Sequence, residues 1–390
     1  MDEALQAVVR RERSRIIGGL YRQCGSLDAA EDAFQEAVAS AIATWPSAGR
    51  PMNPAAWITT SARNHLKQAR RHEKVAEGKA MLLREDESLE PPSVEAVADD
   101  QLRLLFTCCH PELTPESQVA LTLKVIAGFS VEALARAFVV PEATMAQRLV
   151  RAKRQIEEHS LVAATPGRRE LTDRLTAVLT VIYLVFNEGF SGREDALQEE
   201  ALRLGRLLTE LFPTEPEVFG LLSLMAFATA RARTRVDAGG ASLLLSEQDR
   251  SRWDRRLTLE GLVALQRAQR LGGGAYTLQA DIASHHGTAP TWEATDWAPI
   301  KLAYDALLAL TNSPVVAMNR AVAVAMLEGP RAGLALLVPL EDALSSYHLF
   351  YATRADLLRR DGQPATDDFQ RALSLATNET DRVFLRRQLA

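Results

Sequence analysis

Aromatic side chains are scarce in this chain, at 6% of 390 residues, and cysteine is scarcer still, with three in all. A composition poor in aromatics and dominated by Leu, Ala and Arg favours helices over sheets. The three cysteines, two of them adjacent (Cys108, Cys109), make no disulfide framework. Long apolar runs are also missing. The strongest, Leu175 to Phe186, is interrupted by two threonines and is far short of the roughly 20 residues a bilayer demands. The opening stretch, MDEALQAVVRRERS, lacks the basic-then-apolar order of a secretory signal. A cytoplasmic protein with no membrane association is expected.

There is no overall excess of positive charge either: the net charge is −5. That total conceals an uneven spread. Residues 1–76 sum to +3, whereas residues 77–98 sum to −4. Arg63–Lys74 holds five basic residues and one acid, and Thr144–Ile156 holds four basic residues and no acid. Local basic stripes decide whether phosphates are attracted, so the total does not exclude a nucleic-acid partner.

The chain length suggests two or three compact units. Residues 1–76 read as helical, with apolar spacing at Leu5, Val8, Val9, then Ile16, Ile17, Leu20, then Phe34, Val38, Ile42. The breaker cluster Pro46–Pro54 predicts a loop, followed by a helix to about Lys74. Residues 77–98, acidic and then bearing Pro91-Pro92, read as a linker. In 99–160, Thr114-Pro115 starts a helix, Gly128-Phe129 ends one and Ser130 caps the next. After Pro141 comes a basic helix, which completes a helix-turn-helix pattern. From 165 to 390 breakers recur between helical stretches. Arg320-Ala321 aligns with Arg354-Ala355 at an offset of 34, the tetratricopeptide period. The last unit has its spacing at Ala355, Leu358, Gly362, Ala365, Phe369 and Ala372. The expected fold is all-α.

Three constellations carry chemistry. On one helix, Asp32, Gln35 and Glu36 share a face by their i, i+3, i+4 spacing, while Phe34, Val38 and Ile42 point to a core. An acidic, amide-bearing face suits docking to a basic helical partner. In WITTSARNHLKQARR, Trp57, Ile58, Ser61 and Ala62 form a buried seam; Arg63, Asn64, Lys67, Arg70 and Arg71 fill the remainder. Arg and Lys neutralise phosphates and Asn64 pairs with a base edge. The preceding loop could receive an unstacked base. The basic helix of the helix-turn-helix carries Thr144, Gln147 and Arg148, followed by Arg151, Lys153 and Arg154.

E-D-x-x-Q-E, a Gly/Pro loop and W-[IL]-x-x-x-A-R-N with basic residues after it together resemble region 2 of sigma factors. The run from Val140-Pro141-Glu142-Ala143-Thr144 through Arg148-Leu149 and Arg151-Ala152-Lys153 resembles region 4. The order of the two, joined by an acidic linker without regions 1.1 or 3, is similar to the extracytoplasmic-function group of RNA polymerase sigma factors. FTCCHPEL at 106–113, FNEGF at 186–190 and DRSRWD at 249–254 resemble the subgroup with a tetratricopeptide-like C-terminal extension. The resemblance implies core RNA polymerase bound through Asp32, Gln35 and Glu36. It implies the −10 promoter element read by Trp57, Arg63, Asn64, Lys67, Arg70 and Arg71, and the −35 element by the region 4 residues above. Ala146 stands where relatives commonly have Lys or Arg, and Gln147 where Ser is frequent, which leaves the −35 preference open. An extension of this kind is thought to modulate activity, here through contact with the sigma modules.

No cofactor, metal site or catalytic residue is expected. Cys108-Cys109-His110 has no C-x-x-C or H-x-x-x-C companion, so a buried helix end is the better reading. His285-His286 has no ligand-spaced companion either. Glu188, Asp195, Asp249 and Asp254 have no nucleophile-base pair or phosphate loop beside them. The rival reading is a helix-turn-helix regulator with a repeat sensor domain that binds an operator and never joins polymerase. It leaves the Asp32 face and the Trp57–Arg71 helix unexplained.

Overall fold

The computed structural model describes residues 3–76, 94–138, 140–158, 168–192, 195–237, 243–376 and 379–389. Among them there are eighteen α-helices and no strand, so the all-α expectation holds. The chain divides into two compact units, Met1–Ala201 and Leu202–Ala390.

In the first unit, α1 (Glu3–Cys24), α2 (Leu27–Ala48) and α3 (Pro54–Ala76) pack around Ile16, Ile17, Leu20, Phe34, Ile58 and Ala62. Ser26 caps α2, its hydroxyl accepting from the Ala29 N–H at 3.4 Å. The breaker cluster behaves differently from its reading. Pro46 lies inside α2, which runs on to Ala48 and stops at Gly49 with φ +83°. A proline in a last turn forfeits a single backbone bond and leaves the helix end in place. The loop is therefore shorter than expected. Ile42, assigned to the core, is 45% exposed, and Val38 is half-buried. The buried face turns instead through Ala37 and Ala41.

Helix α4 (Val94–Cys108) begins inside the stretch read as a linker, whose residues 77–93 lie outside the described set. It packs on α1 so closely that a Cβ on Gly18 would lie 2.7 Å from the Asp100 carbonyl oxygen. Cys108 and Cys109, at its end, are fully buried, and burial pushes the Cys109 thiol up to about 12. Next come α5 (Pro115–Leu121), capped by Thr114, and a π-helical turn over Thr122–Ala127 that ends at left-handed Gly128. Then follow α6 (Val131–Ala137), capped by Ser130, and α7 (Glu142–Glu158). The caps fall where Thr114 and Ser130 predicted them. Helix α8 (Arg168–Gly192) packs on α4, α5 and α6 and so belongs to the first unit. The compact division falls within α9 (Asp195–Leu211), later than the 160–165 boundary that the motifs suggested.

The second unit runs through α10 (Pro216–Ala230), α11 (Arg255–Arg270), α12 (Ala275–Thr288), α13 (Trp297–Thr311) and α14 (Pro314–Glu328). It ends with α15 (Pro330–Leu337), α16 (His348–Arg360), α17 (Thr366–Leu375) and α18 (Glu379–Leu389). Most of these helices pack chiefly on their chain neighbours, the pattern of a stacked helical array, while α12 packs most on α10. Ala321 and Ala355, the pair at the repeat offset, are both fully buried, as are Phe369 and Ala372. Leu357, not Leu358, is the leucine of α16 that reaches the core.

Candidate nucleic-acid interface

The surface of α2 sorts cleanly. Ala30, Ala33, Phe34, Ala37 and Ala41 are buried, while Asp32, Gln35 and Glu36 are exposed together. On α3, Asn53 caps the first turn, accepting from the Ala56 N–H at 3.0 Å. Ile58, Ala62 and Leu66 form its buried seam. Trp57 is half-buried and meets Trp45 edge to face, ring centres 5.5 Å apart. Asn64, Lys67 and Arg71 are exposed and Arg63 is half-buried; the side chain of Arg70 lies outside the described residues. Met52, in the loop between α2 and α3, is fully exposed. A sequence reading had no reason to single it out, because loop position alone does not say which way a side chain points.

The basic helix α7 keeps Met145, Leu149, Ala152 and Ile156 inward, a clean i, i+4, i+7 seam. Thr144, Gln147, Arg151 and Arg154 are exposed and Arg148 is half-buried. Arg154 pairs along its own helix with Glu158 at 2.6 Å. Val139, in the turn, lies outside the described residues.

Lys153 stands apart from that set. Its ammonium donates to Asp28 at 2.5 Å and to Glu31 at 2.7 Å, both on α2. Glu31 also accepts from Arg13 at 2.8 Å. Arg13 in turn donates to the Val125 carbonyl at 2.9 Å and the Lys124 carbonyl at 3.2 Å, both in the π-helical turn. Ser26 donates to Glu157 at 3.1 Å beside this network. The Glu31 side chain is 3% exposed and that of Arg13 9%, so the carboxylate bridges two cations almost without water. Burial opposes the charge on Lys153, but Glu31 and Asp28 outweigh it and hold its pKa above the ordinary lysine value. Burial lowers Arg13 and Lys124, with Glu31 acting against the shift in both. Glu31 opens the E-D-x-x-Q-E motif but has no assigned role there, and Arg13 lies outside every motif. Glu31 through Lys153, and Arg13 through the Val125 and Lys124 carbonyls, join the helical bundle of α1–α3 to α7 and to the π-helical turn.

No group of three or more His, Cys, Asp or Glu residues among those described is placed to hold a metal ion. No described helix is long and apolar enough to cross a membrane.

An acidic face and a tryptophan-bearing basic helix in one bundle, followed by a capped helix-turn-helix, define a two-module promoter-recognition protein. Comparison with known families agrees: residues 8–75 match sigma-70 region 2 and residues 103–156 match sigma-70, region 4. Residues 174–269 match a family of unknown function, DUF6596, which begins in α8 and ends in α11. The chain belongs to the sigma-70 family as an extracytoplasmic-function-like sigma factor with a C-terminal extension. It is 43% identical to an uncharacterized protein of Rhizobium meliloti (strain 1021), over 97% of this chain and 93% of that one. No solved structure matches it. Its role is promoter recognition in transcription initiation, and its family consists of initiation factors rather than enzymes.

Proposed function

We propose that Asp32, Gln35 and Glu36 dock this chain on core RNA polymerase, and that two separate surfaces read the promoter. Trp57, Arg63, Asn64, Lys67, Arg70 and Arg71 take the −10 element. Thr144, Gln147, Arg148, Arg151, Lys153 and Arg154 take the −35 element. The observation that supports this most is the segregation on α2, α3 and α7: in each helix the apolar seam is buried and most of the assigned side chains face outward. Lys153 reaches promoter phosphate only by leaving Asp28 and Glu31. DNA binding by α7 and packing of α7 on α2 thus compete for one ammonium. The C-terminal extension modulates activity by shifting that competition.

Run-off transcription with core polymerase and a −35/−10 promoter library tests the reading. The triple change of Asp32, Gln35 and Glu36 to Ala is expected to abolish both transcript and co-elution with core enzyme while leaving the helical fold intact. Arg148→Ala is expected to weaken −35-dependent initiation by about 1–3 kcal/mol, the worth of one good base contact. Operator binding without any transcript, and with no co-elution by the wild type, would instead favour the regulator that never joins polymerase.

A further inference from the structure

We propose that α11 docks an amphipathic helix of a partner protein, one with an apolar stripe along its length and carboxylates at both ends of that stripe. The groove that takes it lies within the second unit, along the outward face of α11. It measures about 560 Å³; Phe219 and Leu222 of α10 and Ala264 of α11 line it, with Leu259 and Val263 beside them.

The apolar part of this face is unusually bare. Leu259 is 62% exposed, Val263 63% and Leu262 36%. No other described helix carries three large apolar side chains in that state. Leu259 and Val263 stand one turn apart, the i, i+4 spacing at which a second helix lays down its own apolar residues. Single exposed apolar residues are ordinary, but a contiguous patch over a groove marks an interaction site.

The helix cannot turn to hide the patch. Its other face is committed: Leu257, Gly261, Leu265 and Ala268 are buried. The Ser223 hydroxyl donates to the Gly261 carbonyl at 2.8 Å, and a Cβ on Gly261 would lie 3.1 Å from the Phe227 ring.

Charge chooses the partner. Arg256 and Arg267 are the first and last residues of α11 to line the groove, about 16 Å apart along the helix. Both are exposed, and neither forms an ion pair with a described residue. Arg267 donates to the neutral Pro213 carbonyl at 3.1 Å and lies over the Phe219 ring. The one carboxylate lining the groove, Glu260, is held by Arg206 at 2.6 and 2.9 Å. Asp254, just before α11, accepts from the Arg256 and Leu257 N–H groups as its cap. An apolar middle with an uncompensated cation at each end is complementary to a helix of the same layout and opposite sign.

That layout counts against two other occupants. A second copy of this chain, paired about a two-fold axis, sets Arg256 against Arg267 or against its own counterpart, like charge on like charge either way. Nucleic acid satisfies the arginines but leaves Leu259 and Val263 against its polar backbone.

The test is a fluorescence-anisotropy titration of the full-length protein into labelled helical peptides of about 16 residues, built on Ala and Gln with Leu, Ile or Phe along one stripe. Each peptide is made with a pair of Glu at both ends, with Lys in place of Glu, and in a scrambled order that keeps the charge and loses the stripe. At least one Glu-ended helix is expected to saturate with a Kd of about 100 μM or tighter. Its Lys-ended and scrambled forms are expected to bind about tenfold or more weaker. Leu259→Gln with Val263→Gln, both at exposed positions, is expected to abolish binding with the helical fold retained. Arg256→Glu with Arg267→Glu is expected to reverse the choice, so that the Lys-ended helix is preferred. The proposal is overturned if no Glu-ended helix saturates up to about 1 mM, if the Lys-ended forms bind as tightly, or if the double Gln variant binds like the wild type. Loss of affinity for random duplex DNA in the double Glu variant, with no peptide bound by the wild type, overturns it in favour of nucleic acid. A wild-type dimer that the double Gln variant dissociates overturns it in favour of a second copy. None of these readouts involves transcription, so failure here leaves the sigma-factor reading untouched.

Discussion

His286 shows how much a single side chain is shaped by surroundings that no motif announces. Its neighbour in sequence, His285, shares its chemistry, yet only His286 is pressed between Trp292 and Trp297 with Arg231 and Arg250 acting on it. Its pKa falls from 6.5 to about 4, through burial first and then the nearby positive charges. In this window the unfolded chain binds a proton that the folded chain refuses, so stability is lost as pH drops from 6.5 towards 4. The loss is about 3 kcal/mol at most, and less because the ring is only partly buried. Urea unfolding followed by tryptophan emission at about pH 7 and about pH 5 checks this linkage in the wild type and in His286→Phe. The variant is expected to lose less stability than the wild type on acidification, and equal losses would contradict the account. The sequence alone could not single out His286, because the tryptophans and arginines around it lie on separate segments.

At the scale of elements, α2 and α7 are joined through Glu31, and the same pairing explains where the motif reading fell short. Lys153 reads as a phosphate ligand because it neighbours Arg151 and Arg154 on a basic helix. Its carboxylate partner lies 122 residues away in sequence, beyond any local pattern. Arg13 sits in the run RRERSR, where no local pattern sets it apart, yet its guanidinium is buried against the π-helical turn. What local physics does specify came through. The caps at Thr114 and Ser130 and the outward Asp32 face follow from spacing and side-chain chemistry within a few residues. Glu31→Gln removes the one negative charge shared by Arg13 and Lys153, leaving Lys153 with Asp28 alone and the buried Arg13 poorly compensated. A destabilisation of about 3–5 kcal/mol is expected for such an uncompensated buried charge. Chemical denaturation of the full-length protein measures it, and a change below about 1 kcal/mol, typical of exposed pairs, would rule out the buried network.

At the scale of the whole chain, the acidic, proline-bearing stretch before α4 reads as one junction, but both of its flanks lie in the first unit and nothing comparable marks that unit's end. Helix α8 reads as the opening of the extension because it follows the helix-turn-helix, yet its apolar face is committed to α4, α5 and α6. A fragment ending after α8, residues 1–192, is therefore expected to melt cooperatively. A fragment of residues 1–160 leaves the face beneath α8 bare and is expected to melt lower or aggregate. Calorimetric scans of the two compare them directly, and equal melting temperatures would remove α8 from the first unit. The buried carboxylate also ties together two surfaces that share no ligand. Glu31 and Asp32 are consecutive on α2, one turned inward to Lys153 and the other outward. Any partner that binds α2 more tightly once Lys153 has let go raises the affinity of α7 for DNA. By thermodynamic reciprocity, DNA on α7 raises that partner's affinity by the same factor. The partner on α2 and the DNA on α7 would then assemble on this chain as a heterotropic pair, with the strength of their cooperation set by one lysine.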